Sequence, residues 1–435
     1  MNTQFLNFML KPITLACAIA LPAVTQAAPA SEAEVEQMRA ELKALKTMMQ
    51  QYVQQQNSLS ANLAEVKAKS ESVAVQASTP AMKAEGLSLK TKGGAELNVY
   101  GNVRADALYQ SEGGSAARLY NQISSVPLEG NGESSDRLKA SLAATRLGLD
   151  FKTPTQAGDV GGKIEVDFLG ANDTLRIRHA YLTYGDWLIG QTWSNFAVPD
   201  YMPETIDALG YVGGAVKRTP QVRYTYKFDP ATNLVVAAED SKDDSSNMRL
   251  PALTARLNHK FSDTFAVSAR AMGTEKKTDA DTETAWGVGL GAKLDLTERT
   301  VVKADYYHVK GDSSFVSWAN LGFVVNANKD IIDTNEFDSI SLGITQQFSP
   351  QWRGTLGYGY MKADENNSYI NAFSDKTKIN KELWQAWANV FYSPTKPISL
   401  GLEYVYGERE AFGAAPNGST KGEDNRLNAV AMYNF

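Results

Sequence analysis

Nine residues decide the fold of this chain: Leu427-Asn428-Ala429-Val430-Ala431-Met432-Tyr433-Asn434-Phe435. Counted back in steps of two from Phe435, apolar and aromatic residues share one face, which is the spacing of an extended strand. The sequence stops on this strand, and a strand edge that stays unpaired promotes aggregation. We therefore expect the last strand to pair with the first and to close the sheet into a barrel. The alternative is an ordinary strand at the edge of an open sheet.

An alternation with a period of two recurs from Glu96 to the end of the chain. Residues 164–168 read Ile-Glu-Val-Asp-Phe, and residues 400–404 read Leu-Gly-Leu-Glu-Tyr. About sixteen such segments are present, and a barrel strand needs only ~9–11 residues to cross a membrane. Their apolar faces end in aromatic residues, as belts at the two membrane interfaces require. The pattern predicts an all-β fold, a 16-stranded antiparallel transmembrane β-barrel over residues 96–435.

The connections between these segments alternate in length. Outer-membrane barrels place short turns on the periplasmic side and longer loops outside, whereas a soluble β-sandwich has no reason for this regularity. Short turns are predicted at 154–159, 229–233, 261–264, 297–299, 349–351 and 393–397, and long polar loops at 111–139, 195–216, 240–248, 311–335, 362–380 and 411–423.

Residues 1–27 have the features of a secretory signal peptide. Lys11 precedes a mostly apolar stretch at 12–24, and Thr25-Gln26-Ala27 offers a cleavage site between small residues. The alternative is a lipoprotein processed at Cys17, and both interpretations predict export. Because Cys17 is the only cysteine, we expect the mature chain to contain no disulfide.

Residues 28–78 are predicted to form a periplasmic α-helical coiled coil, followed by a linker at 79–95. Apolar residues recur in alternating steps of three and four over 35–73, without an internal Gly or Pro. This seam is expected to pack against copies of itself, with Gln56 at a core position fixing the register. The alternative is one amphipathic helix packed on a globular core. The predicted positions of the coiled-coil seam are Leu42, Leu45, Met49, Tyr52, Gln56, Leu59 and Leu63.

The polar faces of the predicted strands carry more basic than acidic residues, although the whole chain has a formal net charge of −6. If the apolar faces meet lipid, the basic residues line the lumen, where they would concentrate anions. A guanidinium suits a carboxylate because its planar fork can bind both oxygens. The alternative is that these arginines only neutralise acids in the lumen. The predicted pore-lining and substrate-binding residues are Arg104, Arg146, Arg176, Arg178, Arg223, Arg256, Arg270 and Arg353.

The loop at 195–216 follows the fifth predicted strand and is rich in Gly, Pro and acidic residues. In general porins the third long loop folds inward and narrows the pore. We expect the same here, with Asp200, Glu204 and Asp207 facing a basic wall on which Arg176 and Arg178 form the clearest pair. The alternative is a solvated outer loop.

The sequence gives little support for catalysis. His179, His259 and His308 lie on separate predicted strands and are expected to point outward, away from one another. The chain has neither a Cys/His metal cluster nor a nucleophile-elbow motif, and its acidic charge argues against a nucleic-acid partner. We therefore predict a protein that is not an enzyme and needs no cofactor or metal. The rival hypotheses are an outer-membrane hydrolase and a non-conducting anchor whose coiled coil tethers the envelope.

Several stretches together resemble the DcaP-like outer-membrane porins. They are the N-terminal heptads, residues 97–104, residues 178–182, the C-terminal Phe435 and, most specifically, Gly190-Gln191-Thr192-Trp193-Ser194-Asn195-Phe196. The resemblance covers nearly the whole mature chain. It implies a homotrimer of sixteen-stranded barrels with a periplasmic coiled coil, which passes small organic anions such as dicarboxylates.

The end of the chain also resembles the signal that outer-membrane barrels present for assembly. Tyr433 and the terminal Phe435 are its expected residues. The implied location is the outer membrane of a Gram-negative bacterium. The implied partners are further copies of the chain, small anionic solutes, outer-membrane lipid and the barrel-assembly machinery.

Overall fold

The computed structural model describes residues 88–91, 94–113, 119–131, 136–156, 158–214, 216–243 and 245–435. The signal peptide predicted at 1–27 and the coiled coil predicted at 28–78 lie outside these residues, so both stay predictions. In the part of the chain that is described, no helix has the length and apolar character needed to cross a membrane.

Sixteen antiparallel strands form a closed barrel, as the alternation predicted. They are β2 (Glu96–Glu112), β4 (Arg146–Thr155), β5 (Gly158–Asp167), β6 (Arg176–Tyr184), β7 (Trp187–Trp193), β8 (Arg218–Lys227), β9 (Thr232–Glu239), β10 (Ala252–Lys260), β11 (Phe265–Lys277), β12 (Thr282–Thr297), β13 (Thr300–Lys310), β16 (Glu336–Gln347), β17 (Trp352–Ala363), β18 (Asn380–Tyr392), β19 (Ile398–Ala411) and β20 (Lys421–Asn434). Smaller elements are β1 (Ser88–Lys90), β3 (Arg137–Ser141), β14 (Phe323–Val325), β15 (Ile331–Thr334), the short helix α1 (Asn367–Asn371), and single turns of 3-10 helix at Ile123–Ser125, Ala171–Asp173, Pro199–Tyr201 and Lys376–Lys378.

The last strand closes the barrel against the first barrel strand. β20 pairs antiparallel with β2, with Asn434 opposite Asn102. The terminal residue continues this ladder, because the backbone N–H groups of Gly101 and Phe435 each donate to the other residue's carbonyl oxygen at 3.0 Å. The predicted pairing of the last strand with the first is therefore confirmed.

Two small strands extend the sheet beyond the prediction. β1 lies within the predicted linker and pairs with the start of β2, with Ser88 opposite Asn98. β3 pairs with residues 106–110 of β2, whereas β4 pairs with residues 96–102. The second strand of the barrel is thus interrupted at 142–145, a break that the alternation alone did not reveal.

Side chains alternate between the outer and inner faces of the barrel in the predicted phase. On β2, Val103 is 53% exposed, whereas its neighbour Arg104 is buried. On β19, Leu402 is 51% exposed, whereas Glu403 is buried. Apolar side chains therefore form the outer surface, and the charged side chains face the lumen.

A hydrophobic cluster inside the barrel joins three of the connecting loops. Ile123 from the loop after β2, Phe196 from the loop after β7 and Phe315 from the loop after β13 are all buried in it. They pack together with inward side chains of the strands, such as Tyr307 and Phe337. One side of the lumen is therefore filled by packed side chains.

Candidate pore constriction

Residues 194–217, here called the inner loop, connect β7 to β8 and fold into the barrel. Near its start, the backbone N–H of Asn195 donates to Glu239 on β9 at 2.8 Å. At its middle, the N–H of Ile206 donates to Glu403 on β19 at 3.0 Å, and a guanidinium N–H of Arg104 donates to the Ile206 carbonyl. The loop therefore crosses the lumen, which is the arrangement predicted for a constriction and not that of a solvated outer loop.

A glycine allows the inner loop to lie directly on the strands opposite. Gly213 has a φ of +95°, a conformation that favours glycine. A Cβ at this position would overlap the carbonyl oxygen of Ile340 on β16. The loop is thus seated on backbone and has no room for a larger residue at this point.

Two acids of the inner loop pair with arginines of the wall behind them. A guanidinium N–H of Arg256 on β10 donates to Asp200 at 3.1 Å. Arg353 on β17 binds both carboxylate oxygens of Glu204, at 2.9 and 2.8 Å. In each pair the two charges cancel, and the contact fixes the loop to the wall. Arg256 and Arg353 therefore hold the inner loop in place as well as lining the lumen.

Asp207, the third acid, is buried at the tip of the inner loop. It accepts hydrogen bonds from the backbone N–H groups of Asn121 and Leu209, both at 2.8 Å. A guanidinium nitrogen of Arg426 lies 3.8 Å away. Burial raises the pKa of Asp207 to about 6, although Arg426 and the two N–H donors oppose this shift.

Arg176 and Arg178, predicted to be the clearest anion-binding pair, are both engaged by carboxylates. Arg176 donates to the two oxygens of Asp167 at 2.9 and 2.7 Å. Arg178 donates to Glu165 at 2.6 Å and to Asp167 at 2.9 Å. For these two residues the structure agrees with the alternative, in which arginines only neutralise acids in the lumen. Arg104 is likewise bound to Asp106, and Arg270 to Asp305.

Three other arginines are free of carboxylates. Among the residues that the structure describes, Arg146, Arg218 and Arg223 have no carboxylate oxygen within 4.0 Å. Arg146 stands opposite Asp167 in the ladder between β4 and β5, but Asp167 is already held by two other arginines. Arg146 and Arg223 belong to the predicted set, whereas Arg218 does not.

Arg218 begins β8 and lies against an aromatic ring. Its guanidinium carbon is 4.5 Å from the ring centroid of Trp193, the residue opposite it in the ladder between β7 and β8. The sequence places Arg218 just after the predicted loop, so no strand face was assigned to it. The signal that could have found it is a pair of basic residues, Lys217 and Arg218, at the point where the loop returns to the wall.

His179 corrects the prediction that all three histidines point outward. Its Nδ1 is 3.0 Å from the hydroxyl of Thr192, and its ring meets the ring of Trp193 edge-on, with centroids 5.5 Å apart. A β-bulge between Glu165 and Val166 lets Arg178 and His179 share the inner face. The prediction was wrong for His179 because the bulge interrupts the alternation.

The other two histidines do lie on the outer face. The ring of His259 packs on Phe261, whose side chain is 65% exposed, with centroids 4.5 Å apart. The ring of His308 lies beside Trp286, which is 41% exposed. These exposed aromatic partners belong to the lipid-facing side of the barrel.

The inner faces of β4–β8, here called the open wall, carry a net positive charge around Trp193. The inner loop packs instead against the inner faces of β16–β20 and β2, here called the loop wall. Around the Trp193 indole, two carboxylates oppose four guanidinium groups, which leaves an excess of two positive charges. The group, here called the Trp193 cluster, comprises Arg146, Arg176, Arg178, Arg218, Glu165 and Asp167 around the indole.

Comparison with solved structures supports a channel architecture. The crystal structure of the outer membrane channel DcaP of Acinetobacter baumannii is 40% identical in sequence, with a TM-score of 0.72. The match covers 81% of this chain and 100% of that chain. OmpT of Vibrio cholerae (14% identity, TM-score 0.51, 80% of this chain and 100% of that one) shares the fold.

An anion-selective porin from Comamonas acidovorans also shares the fold, at 11% identity and a TM-score of 0.51, over 78% of this chain and 100% of that chain. A search of curated proteins finds no match. Residues 24–435 match the family described as DcaP outer membrane protein. The match spans nearly all of the sequence. The chain therefore belongs to the DcaP outer membrane protein family.

Proposed function

We propose that this outer-membrane channel is passive and favours small organic anions, with dicarboxylates as its substrate class. The observation that carries the proposal is the presence of free guanidinium groups on the open wall. Arg146 and Arg218 have no carboxylate partner among the described residues, whereas the arginines around them do. A free guanidinium can bind a solute carboxylate through two parallel N–H groups. The resemblance of the sequence to the family supports dicarboxylates as the class.

A solute carboxylate would move from one free arginine to another along the open wall. Arg218 and Arg223 lie at the two ends of a segment of β8 that spans roughly 17 Å at the rise of a strand. Each site must be weak enough to release its anion, because conduction requires exit as well as entry. The inner loop limits the width of the passage, and the free arginines bias its charge.

We also propose that three copies assemble through the coiled coil predicted at 28–78. The regular heptads support this step. Deletion of 28–78 is expected to produce a trimer that dissociates at a lower temperature on semi-native electrophoresis. An equally heat-resistant trimer would reject the clamp while leaving the channel proposal intact.

The channel proposal is tested by the reversal potential of the purified protein in a planar bilayer under a salt gradient. We expect anion selectivity, and we expect added succinate or adipate to block or carry current. Arg146→Gln and Arg218→Gln should each lower the selectivity. Arg299→Gln is the matched control, because it removes the same charge from an exposed turn outside the lumen. A cation-selective wild-type channel would overturn the proposal, and a closed barrel would favour the anchor hypothesis.

A further inference from the structure

We propose that Trp193 is a positioning residue of this channel: its indole face holds Arg218 in the passage without neutralising its charge. The inference deepens the proposed function and rests on it for the meaning of Arg218. Arg176 and Arg178 are held by carboxylates, whereas Arg218 is held by an aromatic face.

The geometry at Trp193 fits a cation–π contact. The guanidinium carbon of Arg218 lies 4.5 Å from the centroid of the indole ring, well within the range of this interaction. The guanidinium carbon of Arg178 is 6.0 Å from the same ring. Since the faces of aromatic rings are electron-rich, both cations are attracted to the indole despite their mutual repulsion.

The indole ring is itself held in place. The ring of His179 meets it at an interplanar angle of 74° with centroids 5.5 Å apart. His179 is fixed in turn by the hydroxyl of Thr192, 3.0 Å from its Nδ1. Trp193 therefore presents a defined face to Arg218.

A carboxylate and an aromatic face restrain an arginine with different consequences for its charge. A carboxylate within reach would cancel the positive charge that draws anions into the passage. An indole orders the long side chain, which otherwise samples many rotamers, and leaves the charge intact. Asp167 lies within electrostatic range of Arg218 and already binds Arg176 and Arg178. Without the indole, Arg218 would be drawn toward Asp167 and its neighbour Glu165.

A double-mutant cycle on the full chain tests this role. We expect Trp193→Leu to reduce the anion-to-cation permeability ratio by most of the amount that Arg218→Gln reduces it, although no charge is removed. Trp193→Phe, which keeps an aromatic face, should retain most of the wild-type ratio. In the Arg218→Gln background, Trp193→Leu should add no further change, because the group that it positions is absent. The shift in electrophoretic mobility on heating verifies that each variant forms a folded barrel.

The outcomes separate this role from general packing and from the channel proposal. A wild-type ratio in Trp193→Leu would overturn the inference, as would an equal loss in the presence and absence of Arg218. A loss in Trp193→Phe as large as that in Trp193→Leu would also reject the role of the aromatic face. Failure of the proposed function has a different signature, because the wild-type channel would then lack anion selectivity before any substitution is made.

Discussion

The open wall and the loop wall use the same side chain for different purposes. On the loop wall, Arg353 binds Glu204, and Arg426 binds Asp424 at 2.6 Å with Asp207 nearby. On the open wall, Arg146, Arg218 and Arg223 have no carboxylate within 4.0 Å among the residues described. The comparison teaches that an arginine inside this barrel is structural where acceptors of the protein bind it, whether carboxylates or, as at Arg409 on β19, an amide oxygen and backbone carbonyls. It is available to a solute where such acceptors are out of its reach. Residue type and inward orientation alone do not decide it.

The largest effect is expected where the loop wall holds the inner loop. Glu403 is buried and accepts hydrogen bonds from the Tyr211 hydroxyl at 2.6 Å and from the Ile206 N–H at 3.0 Å. Glu403→Ala leaves buried donors without an acceptor, which should cost roughly 3 kcal/mol of stability and loosen the loop. We expect a lower melting temperature by circular dichroism and a larger single-channel conductance.

Glu403→Gln provides a control for this prediction, because it keeps an acceptor oxygen and should have a smaller effect. Unchanged conductance in Glu403→Ala would show that the inner loop does not limit the pore.

The next effect concerns the charge of the open wall. Removing two of the three free cations described on the open wall, with Arg146→Gln and Arg218→Gln, should reduce the anion-to-cation permeability ratio roughly thirtyfold at low salt. One charge about 8 Å from a permeating ion stabilises an anion and destabilises a cation by about 0.5 kcal/mol each in water, so each substitution changes the ratio by about 1 kcal/mol. Reversal potentials at low and high salt would measure it. The difference should shrink as salt screens the charges. A ratio that stays within error of wild type would remove the distinction between the two walls.

A pH effect is expected from the tip of the inner loop. The pKa of Asp207, about 6, is higher than that of a carboxyl group in an unfolded chain. The folded protein therefore binds this proton more tightly, so Asp207 should favour the folded state progressively as the pH falls from 7 to about 4.5. Asp207→Asn should remove this component. Melting temperatures of the two proteins across this range would show it, and parallel profiles would contradict the assignment.

The smallest effect is expected when one neutral pair of the loop wall is replaced as a unit. Arg353→Gln combined with Glu204→Gln conserves net charge, and the Glu204 carbonyl still accepts from the Trp387 indole at 3.1 Å. We therefore expect an unchanged permeability ratio. The single variant Glu204→Gln should raise anion selectivity, since it frees a cation near the passage. A large change in the double variant would place this pair among the solute-facing groups.

Much of the barrel could be predicted because a period of two is a local property of the sequence. The segment ending at Phe435 predicted closure, and the alternation around Arg104 predicted which side chains face inward. The bulge beside Glu165 could not be predicted, since it depends on the partner strand, and it brought His179 to the inner face. Which charged side chains pair with one another could not be predicted either. Whether Arg146 meets Asp167 depends on which other arginines reach that carboxylate first.

The hydrophobic cluster that joins Ile123, Phe196 and Phe315 makes the inner loop a fixed partition. Packed interiors resist deformation, so the aperture beside it keeps nearly the same width from one solute to the next. Such an opening works as a sieve. Its flux should fall steeply with the cross-section of the solute, and for solutes of one charge and width it should follow the viscosity of the medium as the temperature changes. Sorting by size would then depend on the packing of three loops, while sorting by charge would depend on a few unneutralised arginines.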